Sequence, residues 1–226
     1  RDDVESRGLG DVYKRQITVY KALGIYQTQE QIDATPHLPG TKPGDLIYQD
    51  TNGDKSITWD DAVRIDKSTT PKWIFGLTLN GAWKGIDVNV FFQGQADAEQ
   101  LVMPAMNMPT DFYEGRWIET NTAEQNANAK WPRAFMKAAA VDNRNSLSST
   151  WWLRDASFVR LKSAEIGYTF PKMMIKKLGL EKLRIYANGN NLFTIDSMGI
   201  FDPEMTAGIK GYPIQRTLTF GANVTF

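Results

Sequence analysis

The sequence has no cysteine among its 226 residues. A disulfide framework, a thiolate nucleophile and a zinc–thiolate site are therefore excluded. Histidine is nearly absent too: His37 stands alone in a proline-rich stretch, with no nucleophile beside it. No catalytic constellation emerges, and the chain reads as a non-enzyme without an organic cofactor. Neither sign of charge is in excess, with Lys plus Arg and Asp plus Glu at 26 each. This balance argues against nucleic acid and against an acidic partner. No run approaches the roughly 18 apolar residues of a membrane-crossing helix. A helical membrane protein is thereby excluded. A β-barrel stays open, because its strands show every second residue to a polar lumen.

What the chain does contain is alternation. Residues 216–226 place Leu218, Phe220, Ala222, Val224 and Phe226 on one face. Thr217, Thr219, Gly221, Asn223 and Thr225 fall on the other. This is the period-two pattern of a strand, at about the 9–11 residues of a transmembrane β-strand. Residues 73–83 and 86–93 flank Lys84-Gly85 and read as a hairpin, in which a two-residue turn pairs Trp83 with Ile86 and Leu79 with Val90. Its apolar face holds Trp73, Phe75, Leu77, Leu79 and Trp83, matched by Ile86, Val88, Val90 and Phe92. The opposite face is expected to be wholly polar. Further strands are predicted over residues 17–27, 151–170 and about 183–193. Within 151–170, Val159 and Leu161 hold one phase, then Ala164, Ile166, Tyr168 and Phe170 take the other. That shift predicts a β-bulge near Lys162–Ser163. Lys172 to Leu178 reads as a short helical turn closed by Gly179. The fold class is all-β: an antiparallel transmembrane β-barrel segment of about six strands, open at the edges formed by 17–27 and by the last strand.

The connections sort by length. Residues 28–71, 94–150 and about 195–213 read as long polar loops, with a helix expected over 133–141, whereas 84–85 and 171–181 are short. Short turns on one side and long loops on the other are the pattern of outer-membrane barrels, the short ones being periplasmic. The seven tryptophans suit interfacial girdles, and Trp73, Trp83, Trp151 and Trp152 are expected there. A soluble Ca²⁺-dependent carbohydrate-binding β-sandwich is the alternative, with its apolar strand faces meeting in a core; a passive porin is a third reading. Residues 1–16 lack apolar periodicity and resemble translated adapter or vector sequence, so they are set aside as a non-native scar.

Two groups of residues are candidate sites. Asp50, Asn52 and Asp54 take positions 1, 3 and 5 of an EF-hand loop, with Ser56, Thr58 and Asp61 at 7, 9 and 12. Oxygen ligands at that spacing suit Ca²⁺. Lys55 replaces the glycine of position 6, and Asp61 replaces the bidentate glutamate. A solvated acidic Asn-Gly turn is the other reading. Phe112, Tyr113, Trp117 and Trp131 are candidates for stacking on sugar rings, against the alternatives of packing the loops together or meeting a lid protein.

Several stretches, taken in order, resemble the carboxy-terminal region of SusC/RagA-type TonB-linked outer-membrane transporters. They are Gly44-Asp-Leu-Ile-Tyr-Gln-Asp-Thr-Asn-Gly-Asp54, Pro71-Lys-Trp-Ile-Phe-Gly76, Gly85-Ile-Asp-Val-Asn-Val-Phe-Phe-Gln-Gly94 and Trp131-Pro-Arg133. Leu153-Arg-Asp-Ala-Ser-Phe-Val-Arg-Leu-Lys162, Gly167-Tyr-Thr-Phe-Pro171, Tyr186-Ala-Asn-Gly-Asn-Asn-Leu-Phe-Thr194 and the closing strand complete the set. The resemblance implies that residues 17–226 are roughly the last quarter of a barrel of about 22 strands with a plugged lumen. The plug and the TonB-contacting segment would lie upstream. It implies import of glycans or peptides across a Bacteroidetes outer membrane, driven through the TonB complex, with a SusD-like surface lipoprotein as partner. It also gives Phe226 a role in the carboxy-terminal signal read by the barrel-assembly machinery.

Overall fold

The computed structural model describes residues 16–102, 110–134, 144–199, 201–204 and 214–226. In chain order the elements are β1 (Gln16–Val19), β2 (Ala22–Ile25), α1 (Gln29–Asp33), β3 (Leu46–Tyr48), β4 (Val63–Ser68), β5 (Trp73–Trp83), β6 (Ile86–Ala96), β7 (Glu99–Leu101), α2 (Thr110–Glu114), α3 (Ala123–Ala127), β8 (Leu153–Asp155), β9 (Phe158–Thr169), α4 (Lys172–Ile175), β10 (Lys182–Asp196) and β11 (Thr217–Thr225). No helix among the described residues is long and apolar enough to cross a membrane. The chain divides into two compact units, one of residues 71–98, 155–206 and 211–226, the other of 1–70, 99–154 and 207–210.

The first of these is a sheet. Its five strands run in the order β11-β10-β9-β6-β5, each antiparallel to its neighbours. The expected hairpin is present, with Trp83 opposite Ile86 and Leu79 opposite Val90. Lys84 and Gly85 both have positive φ, 47° and 89°, as a type I′ turn requires. The bulge also falls where the phase shift put it. Phe91 and Phe92 on β6 pair with Ser163 and Leu161, leaving Lys162 extra. On β10 the register slips between Asn190 and Phe193, and Asn191 there takes a φ of 53°, a value asparagine tolerates better than most residues. Lys162 thus absorbs the change of phase, so Val159 and Leu161 share a face with Ala164, Ile166 and Tyr168.

That face carries the apolar residues, and it is exposed. Trp73, Leu77, Leu79, Trp83, Ile166, Ile185, Ile195, Leu218 and Phe220 are all more than half exposed or close to it. A sandwich would have buried them against a second sheet. The reverse face is polar with exceptions: Ile74 and Phe91 alternate with the polar set, opposite Gln95 and Thr78. The last strand pairs with β10, Leu183 opposite Val224 and Ala187 opposite Phe220. After β9, Pro171 leads into α4, a 3₁₀ turn follows at Lys176–Leu178, and Gly179 closes it with φ 73°.

The second unit corrects the reading of the long polar stretches. Residues 17–27 do not form a barrel strand. They break into β1, paired with β4, and β2, paired with β3, so the sheet has five strands and its edges are β5 and β11. Gln16, set aside with the scar, pairs with Ser68 in β1; the remaining residues of that stretch lie outside the described ones. Residues 151–170 are likewise not one strand but a 3₁₀ turn at Thr150–Trp152, then β8, then β9. The helix expected over 133–141 falls almost wholly outside the described residues.

The core of this unit is aromatic. Tyr26, Tyr48, Phe112, Trp131 and Trp152 are buried, and the Trp131 and Trp152 rings stack at 5.8 Å and 12°. Trp152 therefore belongs to this core rather than to a girdle, and Trp151 lies in the same unit. Of the four expected girdle residues, Trp73 and Trp83 stand on the sheet, at opposite ends of β5.

Candidate functional site

The polar face of the sheet is organised around two arginines. Arg184 on β10 pairs with Thr169, and its guanidinium lies over Gly167, the β9 residue opposite Asp87, where a Cβ would collide with it. It reaches across β9 to Asp87, donating Nε at 3.0 Å, and its Nη2 donates to Glu165 at 2.7 Å. Asn188 donates to the same glutamate at 3.3 Å. Further along, Arg160 is 1% exposed. Its Nε donates to Thr194 at 2.8 Å, its Nη2 to Asp202 at 2.6 Å, and its Nη1 to Glu204. Lys162 adds a second cation to Glu204 at 3.1 Å. The result is a charged, hydrogen-bonded wall behind an apolar face. Such a wall suits a water-filled or protein-filled lumen.

In the other unit, the acidic loop folds on itself. Asp50 accepts from the amides of Gly53 (2.7 Å) and Lys55 (2.8 Å), and Asp54 accepts from the amide of Ser56 (2.8 Å). Lys55, at the position of the EF-hand glycine, has a φ of 65°, so the backbone there keeps the left-handed turn although the residue departs. Asp61 behaves differently. It is buried and accepts from the Thr58 amide (2.8 Å) and the Thr51 amide (2.8 Å), with Thr58 completing a capping box. The Thr58 amide above all, with those of Thr51 and Asn52, holds its carboxyl below the usual carboxylate range against the opposing pull of burial. Among the described residues no three acidic or histidine side chains converge on one point.

The four candidate aromatics part company. Phe112, Trp117 and Trp131 are buried at 5–8% exposure, whereas Tyr113 is 46% exposed. Phe112 lies 5.8 Å from both Tyr113 and Trp131, and Arg116 stands over the Tyr113 ring at 5.3 Å. Burial leaves Tyr113 as the one of the four with an open ring. Trp117 keeps an edge on a cleft of about 920 Å³, lined also by Gln27, Lys42, Glu119, Asn121 and Arg133. Sequence reasoning did not find this cleft, because its residues are spread over more than a hundred positions.

No protein-family model matches the chain. A TonB-dependent receptor of Formosa agariphila is 31% identical over 229 residues, covering 92% of this chain and 22% of the relative. A second from the same organism is 28% identical over 244 residues, covering 98% of this chain and 22% of the relative. The TonB-dependent receptor SusC of Bacteroides thetaiotaomicron is 25% identical over 222 residues, covering 96% and 20%. Among solved structures, the RagAB peptide transporter superposes with a TM-score of 0.65 at 20% identity, over 93% of this chain and 22% of that one. The chain is of the SusC/RagA type of TonB-dependent receptor. It spans about a fifth of the length of the curated relatives it matches.

In this receptor segment two of the family-like stretches meet. Asp45, of Gly44-Asp-Leu-Ile-Tyr48, is fully buried and accepts from Arg133 Nε at 2.6 Å and from Asn145 at 2.8 Å. Arg133 belongs to Trp131-Pro-Arg133. Gly44, at a φ of 90°, leaves room for the Trp117 ring, which a Cβ there would meet at 2.5 Å. The SusC/RagA resemblance in these stretches is therefore carried by residues that build a core.

Proposed function

We propose that this chain is the carboxy-terminal barrel portion of an outer-membrane TonB-dependent importer of glycans or peptides. The observation that carries the reading is the two-sided sheet, with an exposed apolar face backed by the Arg160 and Arg184 networks. A charged wall of this kind belongs against a lumen and an apolar face of this extent against hydrocarbon. The loop-bearing unit supplies the surface for substrate, with Tyr113 and the cleft beside Trp117 as its contacts, and for a SusD-like lipoprotein partner. TonB acts through residues outside this chain, and Phe226, 85% exposed beyond β11, serves recognition by the assembly machinery.

Paired substitutions in the full-length receptor test the reading. Leu79, in the middle of β5 on the apolar face, replaced by Arg is expected to cost about 2–4 kcal/mol in the bilayer. The receptor should then disappear from the outer-membrane fraction, and growth on its glycan or peptide should go with it. Thr78→Arg, the next residue and on the opposite face, should leave assembly intact. Equal assembly of both variants would sink the proposed orientation.

The acidic loop belongs to the same proposal. Ca²⁺ is held by Asp50, Asn52, Asp54 and Ser56, with Asp61 acting through the backbone it fixes and Thr58 through water. Calorimetry on the full-length receptor should record Ca²⁺ binding that a combined Asp50→Asn, Asp54→Asn variant loses. No heat above the blank for the unaltered receptor would remove calcium from the account.

A further inference from the structure

The end of the sheet that holds the short connections has a composition of its own. Thr169 donates to the Gly85 carbonyl at 2.8 Å and Glu181 to that of Thr225 at 2.8 Å, so 84–85, 170–181 and the end of β11 lie together. Five lysines are found here: Lys84, Lys172, Lys176, Lys177 and Lys182. Against them stands the exposed Glu181, while Asp87 is engaged by Arg184. Among the described residues Lys172, Lys176 and Lys177 carry no ion pair, and all three are exposed. At the opposite end of the sheet charges of both signs are paired, Asp97 with Lys72, and Asp202 and Glu204 with Arg160 and Lys162.

The basic turn is also apolar. Ile175 is buried and anchors it, but Met173, Met174 and Leu178 are 89%, 63% and 69% exposed. Three exposed large apolar side chains interleaved with lysines are the composition of a segment lying at a membrane surface. Beside it, on the outward face, is a groove of about 750 Å³. Its walls are Ile86, Ile166, Tyr168, Ile185 and Phe220, and its floor is at Ala187. Ala187 pairs with Ile166 on one side and Phe220 on the other, so a small residue between two large ones makes the trough. Lys84 stands 4.7 Å over the Trp83 ring at the rim of the same end.

We propose that this end of the sheet binds one anionic phospholipid of the periplasmic leaflet, an acyl chain in the groove over Ala187 and its phosphate against Lys172, Lys176 and Lys177. The inference rests on the outer-membrane reading above and on the charge of the rim. An apolar groove alone would take any chain; a cluster of free lysines beside it selects a negative headgroup. Met173, Met174 and Leu178 seat the turn among the neighbouring acyl chains.

Native mass spectrometry of the full-length receptor, released from vesicles of phosphatidylglycerol or of phosphatidylcholine, reads this directly. The unaltered receptor should retain phosphatidylglycerol in preference to phosphatidylcholine. A Lys172→Gln, Lys176→Gln, Lys177→Gln variant, whose substitutions are all on an exposed turn, should lose that preference by about tenfold or more. Ala187→Trp, which fills the trough, should lower retention of both lipids. Equal retention of the two lipids by the unaltered receptor, or a preference that survives loss of the three lysines, would overturn the proposal. So would a lipid-free dimer that Ala187→Trp splits, since the groove would then be closed by a second copy. Fractionation of the same cells separates this from the broader reading. A receptor absent from the outer membrane defeats both, whereas one present there without lipid preference defeats this inference alone.

Discussion

Replacing Trp152 by alanine is expected to unfold the loop-bearing unit of the full-length receptor while leaving the strands of the sheet protected. Trp152 is 1% exposed and stacks on Trp131 at 5.8 Å. Truncating a fully buried tryptophan costs about 3–5 kcal/mol, a large fraction of what a unit this small can muster. The loss does not stop at packing. The indole Nε1 donates to the Asn145 carbonyl at 2.8 Å, and the Asn145 side chain in turn accepts from the Leu46 amide at 2.8 Å and donates to Asp45. Asp45 is the buried carboxylate that Arg133 neutralises. Removing the indole thus loosens the framework that keeps a buried ion pair in register, and a buried carboxylate with a displaced cation is costly. Limited proteolysis should cut Trp152→Ala within residues 16–70 and 110–154 at protease levels that spare the unaltered receptor, with strands β5, β6 and β9–β11 intact. Trp152→Phe keeps most of the area and loses the hydrogen bond, so it should cost about 1 kcal/mol. A proteolytic pattern identical in all three proteins would mean that Trp152 is not the keystone argued for.

Arg160→Ala is the second large effect. The guanidinium is buried on β9 and joins two strands to the segment that follows β10, through Thr194, Asp202 and Glu204. Without it, Asp202 and Glu204, whose side chains are about a fifth exposed, face each other with Lys162 as the remaining cation. Breaking a buried pair by deleting one partner typically costs about 3–5 kcal/mol, and the partial exposure of both acids places this case at about 3 kcal/mol, near the lower bound. Residues 201–204 should detach from the wall, and hydrogen exchange of their amides should rise to the level of an unstructured segment. A receptor that also carries Asp202→Asn and Glu204→Gln should recover part of the loss, because it no longer holds two unpaired carboxylates. No recovery would show that the arginine acts by packing over the Phe158 ring, which it covers at 5.4 Å.

The sheet was legible because its strands obey a short-range rule. Over 73–93 and 216–226 the side-chain period is two, and a period needs no distant partner to be seen. Even the bulge showed, since one extra residue must shift the phase of everything after it. The loop-bearing unit was opaque for the opposite reason. Its strands are three to six residues long, too short for a period, and its core draws Tyr48 and Phe112 from two polar stretches and Tyr26 and Trp152 from segments that read as single strands. The Asp45–Arg133 pair spans 88 positions, with nothing local to announce it. The assignment of Trp151 and Trp152 to a girdle failed because they stand in a 3₁₀ turn rather than a strand, and Trp152 is drawn into the aromatic core against Trp131.

The path of the chain between β6 and β9 has one more consequence. It departs at Ala98 and returns at Ala156, where the amide of the second donates to the carbonyl of the first at 2.9 Å. An excursion tied off at its base makes few demands on the strands it interrupts. Closing a longer or shorter one changes the entropy by only about 0.6 kcal/mol per doubling. Insertions, deletions and wholesale exchange between those two alanines are therefore nearly neutral for the pairing of β6 with β9. What limits change inside the excursion is therefore its own core, through Trp131, Arg133 and Trp152, and not the hydrogen-bonded frame that carries it.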